Sequence, residues 1–250
     1  MKFVLCSKNN GVAKVSLSKG KVNALNETIA EELYDCFSDL ETDQEVNSVI
    51  LTGNGKFFSF GFDVPEFLSC SKDDFTRYLT KFTKLYTYIF LFPKPVIAAL
   101  NGHTIAGGCM LAIACDYRIM VSEKAKISLN EITFGSSVFA GSVEMLKFCA
   151  GSGNAQTILY SGAMYSANQA MHMGLVDKVS SIDNLMSEAE KTALDFAKTD
   201  NTAFTSIKRL LRRPPAEDMA KREKESIQEF VDIWYSEKTW EKLKKIKIYS

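Results

Sequence analysis

The sequence predicts an α/β fold assembled from stacked β-β-α units. Three segments, 49–68, 96–114 and 127–149, each run from an apolar strand through a loop with glycine or asparagine into a helix. Their spacing is too uneven for a strict sequence repeat, but the recurring order indicates one structural unit used three times. Because loops after corresponding strands of such a stack gather on one face, we expect Gly61, Gly107 and Glu131 to lie close together.

The first part of the chain is predicted to form a hairpin, a helix and a strand. Residues 3–7 and 12–17 alternate apolar and polar side chains around Asn9-Asn10-Gly11, which is a hairpin signal. Asn26 is suited to cap a helix, whose apolar positions keep helical spacing at Ile29, Leu33, Phe37 and Leu40. A strand over 46–52 and a loop over 53–63 follow.

The rest of the chain continues with strands and then becomes helical. The pattern predicts one helix, three strands and two further helices, over 73–92, 95–100, 117–121, 126–129, from about 142 and from about 154. From Ile182 onward almost all of the pattern is helical. We therefore divide the chain into a core of residues 1–195 and a helical C-terminal region of residues 196–250.

The segment 101–110, N-G-H-T-I-A-G-G-C-M, connects an apolar strand to an apolar helix through Gly107 and Gly108. Glycine allows unusual dihedral angles and close ligand approach, and a helix start supplies unpaired N–H groups and the positive end of the helix dipole. This junction is therefore a candidate anion-binding turn. A tight strand-to-helix turn without a ligand is the alternative.

Composition excludes several classes of function. The 30 basic and 30 acidic side chains cancel, so no overall field favours nucleic acid or an anionic membrane as partner. No apolar run reaches transmembrane length, and we expect a soluble protein of the cytoplasm, or of the mitochondrial matrix if a leader has been removed. No metal site is predicted. The cysteines lack C-x-x-C pairs and are predicted to be reduced core residues: Cys6, Cys36, Cys70, Cys109, Cys115 and Cys149.

Four motifs carry a resemblance to a known family: K-V-N-A-L-N at 21–26, F-F-S-F-G-F-D at 57–63, N-G-H-T-I-A-G-G-C at 101–109 and L-N-E-I-T-F-G at 129–135. Together they resemble the crotonase or enoyl-CoA hydratase/isomerase superfamily. The resemblance covers nearly the whole chain. Within the superfamily, the segment 129–135 is most similar to mitochondrial-type Δ3,Δ2-enoyl-CoA isomerases.

This resemblance implies a spiral of ββα units followed by a helical C-terminal trimerisation region, in a homotrimer or a dimer of trimers. It also implies an acyl-CoA thioester substrate, with coenzyme A as part of the substrate and no separate cofactor. The backbone N–H groups of Phe62 and Gly107 would form an oxyanion hole. Other residues expected to bind substrate are Val22, Ala24, Phe60, Gly61 and Gly108.

Met110 and Glu131 distinguish between the reactions of the family. The hydratases use two glutamates to hold one water, and these positions correspond to Met110 and Glu131 here. Methionine can neither orient nor deprotonate water, whereas one carboxylate suffices to move a proton between C2 and C4. The resemblance therefore implies isomerisation of 3-enoyl-CoA to trans-2-enoyl-CoA, with Glu131 as the proton carrier. We expect apolar neighbours, Leu129, Ile132 and Phe134, to raise the pKa of its carboxyl.

Alternatives remain at the level of the sequence. Glu66 and Glu144 are weaker candidates for the base. The chain could instead be a hydratase, a hydrolase or a decarboxylase of the same superfamily, or a non-catalytic acyl-CoA-binding or RNA-binding member, although its balanced charge disfavours RNA. A basic C-terminal cluster either meets coenzyme A phosphates or forms a solvated helix face: Lys208, Arg209, Arg212, Arg213, Lys238, Lys242, Lys244, Lys245 and Lys247.

Overall fold

Nine strands and nine helices organise residues 1–246, the part of the chain that the computed structural model describes. The strands are β1 (Val4–Asn9), β2 (Val12–Leu17), β3 (Ser48–Gly53), β4 (Phe57–Ser59), β5 (Val96–Leu100), β6 (His103–Ile105), β7 (Tyr117–Val121), β8 (Ile127–Ser128) and β9 (Lys178–Ser180). The helices are α1 (Glu27–Thr42), α2 (Val64–Phe67), α3 (Lys72–Leu91), α4 (Gly107–Ala114), α5 (Ala140–Ser161), α6 (Ala167–His172), α7 (Leu185–Ala197), α8 (Asn201–Trp234) and α9 (Glu237–Leu243). A 3-10 turn spans Glu131–Phe134.

The strands form two sheets. The larger has the order β1-β2-β3-β5-β7-β9, in which only the β1–β2 hairpin is antiparallel, and the smaller has the parallel order β4-β6-β8. In each of three successive units the first strand joins the large sheet, the second joins the small sheet, and a helix follows. The predicted spiral of ββα units is confirmed.

The short elements differ most from the prediction. Strands β4 and β6 lie inside segments that the sequence indicates as loops, and β9 and α6 are not indicated at all. A strand of three residues is too short to show alternation, so only its pairing with a neighbour defines it. The two helices expected from about 142 and 154 form one element, α5, interrupted at Gly151 by a non-helical backbone with φ of 75°.

The longer elements follow the predicted apolar patterns. The Asn26 side chain accepts a hydrogen bond from the N–H of Ile29 and so caps α1, whose predicted apolar positions are all buried. Helix α4 is buried on every side between the small sheet and helices α3 and α5. This explains why its sequence is apolar throughout and has no polar face.

A buried ion cluster attaches α8 to the core. Lys208 Nζ lies 2.7 Å from Asp116 Oδ2, and Arg212 Nη2 lies 3.0 Å from Asp116 Oδ1. Arg212 also donates to the carbonyls of Phe90, Ala114 and Cys115. Burial lowers the pKa of Lys208 to about 8. Lys208 and Arg212 are therefore internal supports of the fold, which corrects their assignment to a surface that could meet phosphates.

Other expectations from the sequence have mixed outcomes. Cys6 is exposed on β1, so the prediction that the cysteines are core residues is wrong at that position. Lys247, the last member of the basic cluster, lies outside the described residues. Within residues 1–246 no helix is long and apolar enough to cross a membrane, and no group of three or more His, Cys, Asp or Glu residues is arranged to hold a metal ion.

The ion cluster predicts a large and specific loss of stability. Asp116→Ala leaves two buried cations without a carboxylate, so we expect the free energy of unfolding to fall by about 3–5 kcal/mol in urea titrations. Asp195→Ala is the matched control, because Asp195 pairs only with the exposed Lys198 and its loss should change nothing measurable. Equal stability of the two variants would contradict the assigned role of the cluster.

Candidate functional site

The small sheet brings three loops to one edge. Ser59 pairs with Thr104, and Thr104 pairs with Ile127, so β4, β6 and β8 are in register. The carboxyl ends of parallel strands lie at the same edge, and the N–H of Ala106 extends the ladder by donating to Ser128 O at 2.8 Å. The loops that carry Gly61, Gly107 and Glu131 therefore leave the sheet side by side, as the order of the units predicts.

The first loop is held by the segment 22–25. Phe60 N donates to Val22 O at 2.9 Å, Leu25 N donates to Gly61 O at 2.7 Å, and Asp63 N donates to Leu25 O at 2.8 Å. Ala24 is buried between these bonds. The expected substrate-binding residues Val22, Ala24, Phe60 and Gly61 thus lie on two backbone segments that hydrogen bonds join.

Asn23 is an important residue of this surface that sequence reasoning missed. Its backbone has a positive φ of 50°, and its fully buried amide donates to the carbonyls of Asn54 and Phe57 while accepting from the N–H of Lys19. Asparagine tolerates this backbone conformation better than most residues. The asparagine in K-V-N-A-L-N was therefore a usable signal for a left-handed turn.

Two backbone N–H groups are free where the first two loops meet. Within residues 1–246, neither the N–H of Phe62 nor that of Gly107 donates to a backbone or side-chain acceptor. The loops are in close contact, because a Cβ added to Gly61 would lie 3.2 Å from Gly107 N. Two free donors on adjacent loops can receive one oxygen that carries negative charge.

The backbone before Gly107 is strained. Ala106 has φ of 49° and ψ of −117°, a conformation that L-residues rarely adopt and that costs on the order of 1–3 kcal/mol. This conformation turns the chain from β6 directly into α4 and leaves the first N–H groups of the helix unpaired. The two glycines of the motif predicted an unusual turn, but not that the preceding alanine would adopt the left-handed conformation.

The Phe62 ring covers the start of α4. The ring is 8% exposed, and its Cε1 atom would lie 2.9 Å from a Cβ added to Gly107. It makes edge contacts with the rings of Phe82 and Tyr78 on α3, at centroid distances of 4.9 and 5.3 Å. Phe62 therefore combines a free backbone donor with an apolar side chain that packs between the start of α4 and helix α3.

Glu131 is a buried carboxylate without a partner. Glu131 is the first residue of the 3-10 turn and is 4% exposed. Neither oxygen of its carboxylate has a hydrogen-bond partner among the described residues. Burial raises the pKa of its carboxyl to about 8. The Glu131 charge also contributes to raising the pKa of the Cys109 thiol, which places the carboxylate near the first turn of α4.

The surroundings of Glu131 differ in part from those expected. Leu129 is buried and Phe134 half-buried, but Ile132 is 48% exposed and does not shield the carboxylate. The 3-10 turn instead packs against α5 and α9, and Thr239 on α9 donates to Gly135 O. The C-terminal region therefore contributes to the burial that raises the Glu131 pKa.

The weaker candidate bases are paired with other groups. Glu144 lies 2.6 Å from Arg222 and 3.0 Å from Lys147. Glu66 accepts from Asn26 and lies 3.2 Å from Lys19, which also pairs with Asp63. These contacts hold each carboxylate in one position, which suits a structural role better than proton transfer.

Further polar atoms without partners lie around the same turn. Asn130 Oδ1 and Ser136 Oγ are buried and make no hydrogen bond within the described chain, and the Ser136 N–H donates to Glu131 O. Met110, on α4, is buried and offers no group that could fix a water. Most buried polar atoms in proteins have a hydrogen-bond partner, so a group of unpartnered polar atoms at one turn is typical of a ligand-binding site.

Comparisons with known proteins identify the family of the chain. The family described as enoyl-CoA hydratase/isomerase matches residues 7–245. A mitochondrial enoyl-CoA hydratase of Pongo abelii is 36% identical over 187 residues, covering 74% of this chain and 63% of the relative. A probable enoyl-CoA hydratase of Bacillus subtilis is 35% identical over 204 residues, covering 80% of this chain and 78% of the relative.

Among solved structures, the human mitochondrial delta3-delta2-enoyl-CoA isomerase superposes with a TM-score of 0.93. The two share 26% sequence identity, and the match covers 97% of this chain and 95% of the human chain. The predicted fold class, a crotonase-like α/β spiral with a helical C-terminal region, is confirmed.

The contact between α4 and β4 gives a test of how tightly the site is built. A Cβ added to Gly108 would lie 2.7 Å from Ser59 O and 2.8 Å from Ser59 Cβ. We expect Gly108→Ala to lower the free energy of unfolding in urea by about 1–3 kcal/mol, because α4 must move away from β4. Gly153→Ala, on α5 with nothing within 4 Å, is the control and should keep full stability. A Gly108→Ala protein as stable as this control would show that the contact is not tight.

The buried carboxylate predicts a pH dependence of stability. The folded chain keeps the Glu131 proton up to about pH 8, whereas the unfolded chain releases it near its ordinary pKa of 4.5. The folded state thus binds more protons between these values, and this residue's contribution to stability falls as pH rises through that window. Chemical unfolding at pH 5, 7 and 9 should show Glu131→Gln gaining stability relative to the wild type as pH rises. Glu190→Gln, on the exposed surface of α7, should show the same pH dependence of stability as the wild type. If Glu131→Gln also showed that dependence, the raised pKa would not belong to Glu131.

Proposed function

The chain belongs to the enoyl-CoA hydratase/isomerase family, and within it we propose that the protein isomerises 3-enoyl-CoA to trans-2-enoyl-CoA. The observation that carries this proposal is the combination of one unpartnered buried carboxylate, Glu131, with a methionine at the position of the family's other glutamate. The likeness to the human isomerase supports it.

In the proposed reaction, the free N–H groups of Phe62 and Gly107 receive the thioester oxygen. Loss of a proton from C2 places negative charge on this oxygen, and each fixed donor stabilises that charge by roughly 3 kcal/mol in a site without bulk water. The donors are held in place before substrate arrives, by the small sheet and by the strained turn at Ala106. Little reorganisation is then needed when the charge develops.

Glu131 acts as the proton carrier in this proposal. Its carboxylate takes the C2 proton to give a dienolate and returns the proton to C4, which moves the double bond into conjugation with the thioester. The pKa of the Glu131 carboxyl, about 8, lies close to neutral pH. The group can therefore accept a proton and return it with similar ease. No second acid or base is required.

The backbone of the first two loops would bind the coenzyme A part of the substrate. Val22, Ala24, Phe60 and Gly61 lie on two hydrogen-bonded backbone segments beside the free donors, and Gly108 lets α4 approach Ser59 on β4 closely. Backbone groups suit a substrate part that is common to every acyl chain length. Selection among acyl chains would then depend on the aromatic wall around Phe62.

We also propose that the protein assembles as a trimer. The first half of α8 presents large apolar side chains to solvent, with Ile207 58%, Leu210 72% and Leu211 58% exposed. Neighbouring exposed apolar side chains on one helix favour contact with another protein surface. Lys208 and Arg212 hold a different face of the same helix against the core.

Slow hydration of 2-enoyl-CoA is a second candidate activity. Ser136 Oγ and Asn130 Oδ1 are buried polar atoms without partners at the same turn as Glu131. They could hold a water through hydrogen bonds, although neither can deprotonate it. Hydration would then depend on Glu131 alone and would be slower than isomerisation.

The decisive test is the removal of the carboxylate charge while its shape is kept. Glu131→Gln should lower kcat for 3-hexenoyl-CoA isomerisation by about 10³-fold or more, because the amide cannot accept the C2 proton, while KM changes little. The product of the wild-type protein should have the same mass as the substrate. Absorbance of the conjugated thioester and mass spectrometry measure the two quantities.

Glu66→Gln provides the matched control. Glu66 is also a candidate base, but its carboxylate contacts Asn26 and Lys19 and lies away from the 3-10 turn that carries Glu131. This variant should isomerise at the wild-type rate. Full activity of Glu131→Gln in a folded protein that still binds acyl-CoA would overturn the proposal. A wild-type product that gains the mass of one water faster than it isomerises would identify the protein as a hydratase instead.

A further inference from the structure

Cys6 lies on β1 and Cys36 on α1, and this strand and helix pack against each other. We propose that these two cysteines form a redox pair that closes to a disulfide by exchange with a low-molecular-weight disulfide such as oxidised glutathione. The pair plays no part in the reaction proposed for Glu131. It is a site of covalent modification on the N-terminal hairpin.

The contacts on either side of the pair fix its geometry. Toward the start of β1, Glu32 Oε2 accepts from the N–H groups of Phe3 and Val4 at 2.8 and 2.9 Å. Toward its end, Lys8 Nζ lies 2.6 Å from Asp43 Oδ2. Strand β1 and helix α1 therefore run side by side, with the start of β1 next to Glu32 and its end next to Asp43.

The spacing of the two elements places the thiols opposite each other. From Val4 to Cys6 the strand advances two residues, or about 6.6 Å, and from Glu32 to Cys36 the helix advances four residues, or about 6 Å. Val4, Cys6 and Lys8 share one face of β1 because side chains alternate along a strand. Cys36 lies on the buried face of α1, and its side chain is close enough to Cys6 to lower the pKa of the Cys6 thiol.

The two thiols have different chemical characters. The Cys36 side chain lowers the pKa of Cys6 to about 7, with a smaller contribution from Lys8, while burial, Asp43 and Asp39 act in the opposite direction. The Cys6 side chain and burial raise the pKa of Cys36. Cys6 is thus the thiolate nucleophile near neutral pH, and Cys36 is the protonated partner.

The two thiols also differ in their accessibility to solvent. Cys6 is exposed on β1, an edge strand of the large sheet, whereas Cys36 is 2% exposed. Cys109 and Cys115 are completely buried, and burial raises the pKa of both thiols. A soluble disulfide therefore reaches Cys6 before it reaches Cys36.

The exchange balances in two steps. The Cys6 thiolate attacks one sulfur of oxidised glutathione, forming a mixed disulfide and releasing one glutathione thiolate. Cys36 then loses its proton and attacks the Cys6 sulfur, which forms the protein disulfide and releases the second glutathione thiolate. The protein loses two electrons and two protons, and one oxidised glutathione takes them up to become two reduced molecules.

A bond between these residues would restrain the N-terminal part of the fold. It closes a loop that contains β2 and the segment 22–25, which pairs with the Phe60–Phe62 loop. Such a loop closure disfavours the unfolded chain, so the oxidised protein should melt about 5–10 °C above the reduced protein.

Incubation of the full, reduced chain with oxidised glutathione tests the proposal by intact mass and peptide mapping. The wild type should lose the mass of two hydrogens and yield a linked Cys6–Cys36 peptide. Cys36→Ser should stop at the mixed disulfide, with one glutathione on Cys6. Cys6→Ser should form neither product at this pair and should show no change in melting temperature.

Cys70→Ser is the matched control, because Cys70 is partly exposed on a different surface element. This variant should form the Cys6–Cys36 disulfide as the wild type does. The proposal is overturned if the wild type keeps glutathione on Cys6 to the same extent as Cys36→Ser. It is equally overturned if Cys70 reacts and Cys6 does not.

Discussion

The parallel pairing of three very short strands is the constraint on which the rest of the site depends. Strands β4, β6 and β8 are two or three residues long, so the loops after them begin at nearly the same level and about 4.8 Å apart. The Phe62 and Gly107 donors come from the first two loops and the Glu131 carboxylate from the third. The strain at Ala106 persists because its N–H continues the same ladder.

The burial of Glu131 connects this sheet to the C-terminal region. A carboxylate without hydrogen bonds is costly to bury, and the other carboxylates considered for catalysis are paired with cations. The 3-10 turn that carries Glu131 is covered by α5 and α9, and α9 follows α8, which the Asp116 cluster fixes to the core. The buried Glu131 carboxylate therefore lowers the stability of the fold, and the distant ion cluster around Asp116 raises it. Such a local loss of stability is expected at a functional site.

The sequence predicted those features that depend on local chemistry. The Asn26 cap, the glycines at the α4 junction and the position of Glu131 after a strand could all be read from residue type and spacing. Strands β4 and β6 could not, because three residues define a strand only through their neighbours. Lys208 and Arg212 looked like solvated basic residues, since their partner Asp116 lies far away in sequence. The conformation of Ala106 could not be predicted, because contacts with other loops impose it, whereas at Asn23 the residue type was a signal that the sequence analysis did not use.

The central claim is that the protein holds one carboxyl out of water, without a partner, beside free backbone donors. Carbon-13 NMR of glutamate labelled at the side-chain carboxyl measures this directly, with the Glu131 signal assigned by its absence in Glu131→Gln. The account predicts that this signal titrates with a midpoint at about pH 8. A midpoint near the ordinary glutamate value of 4.5 would contradict it, because the carboxylate would then be solvated or paired and could not serve as the proton carrier described above.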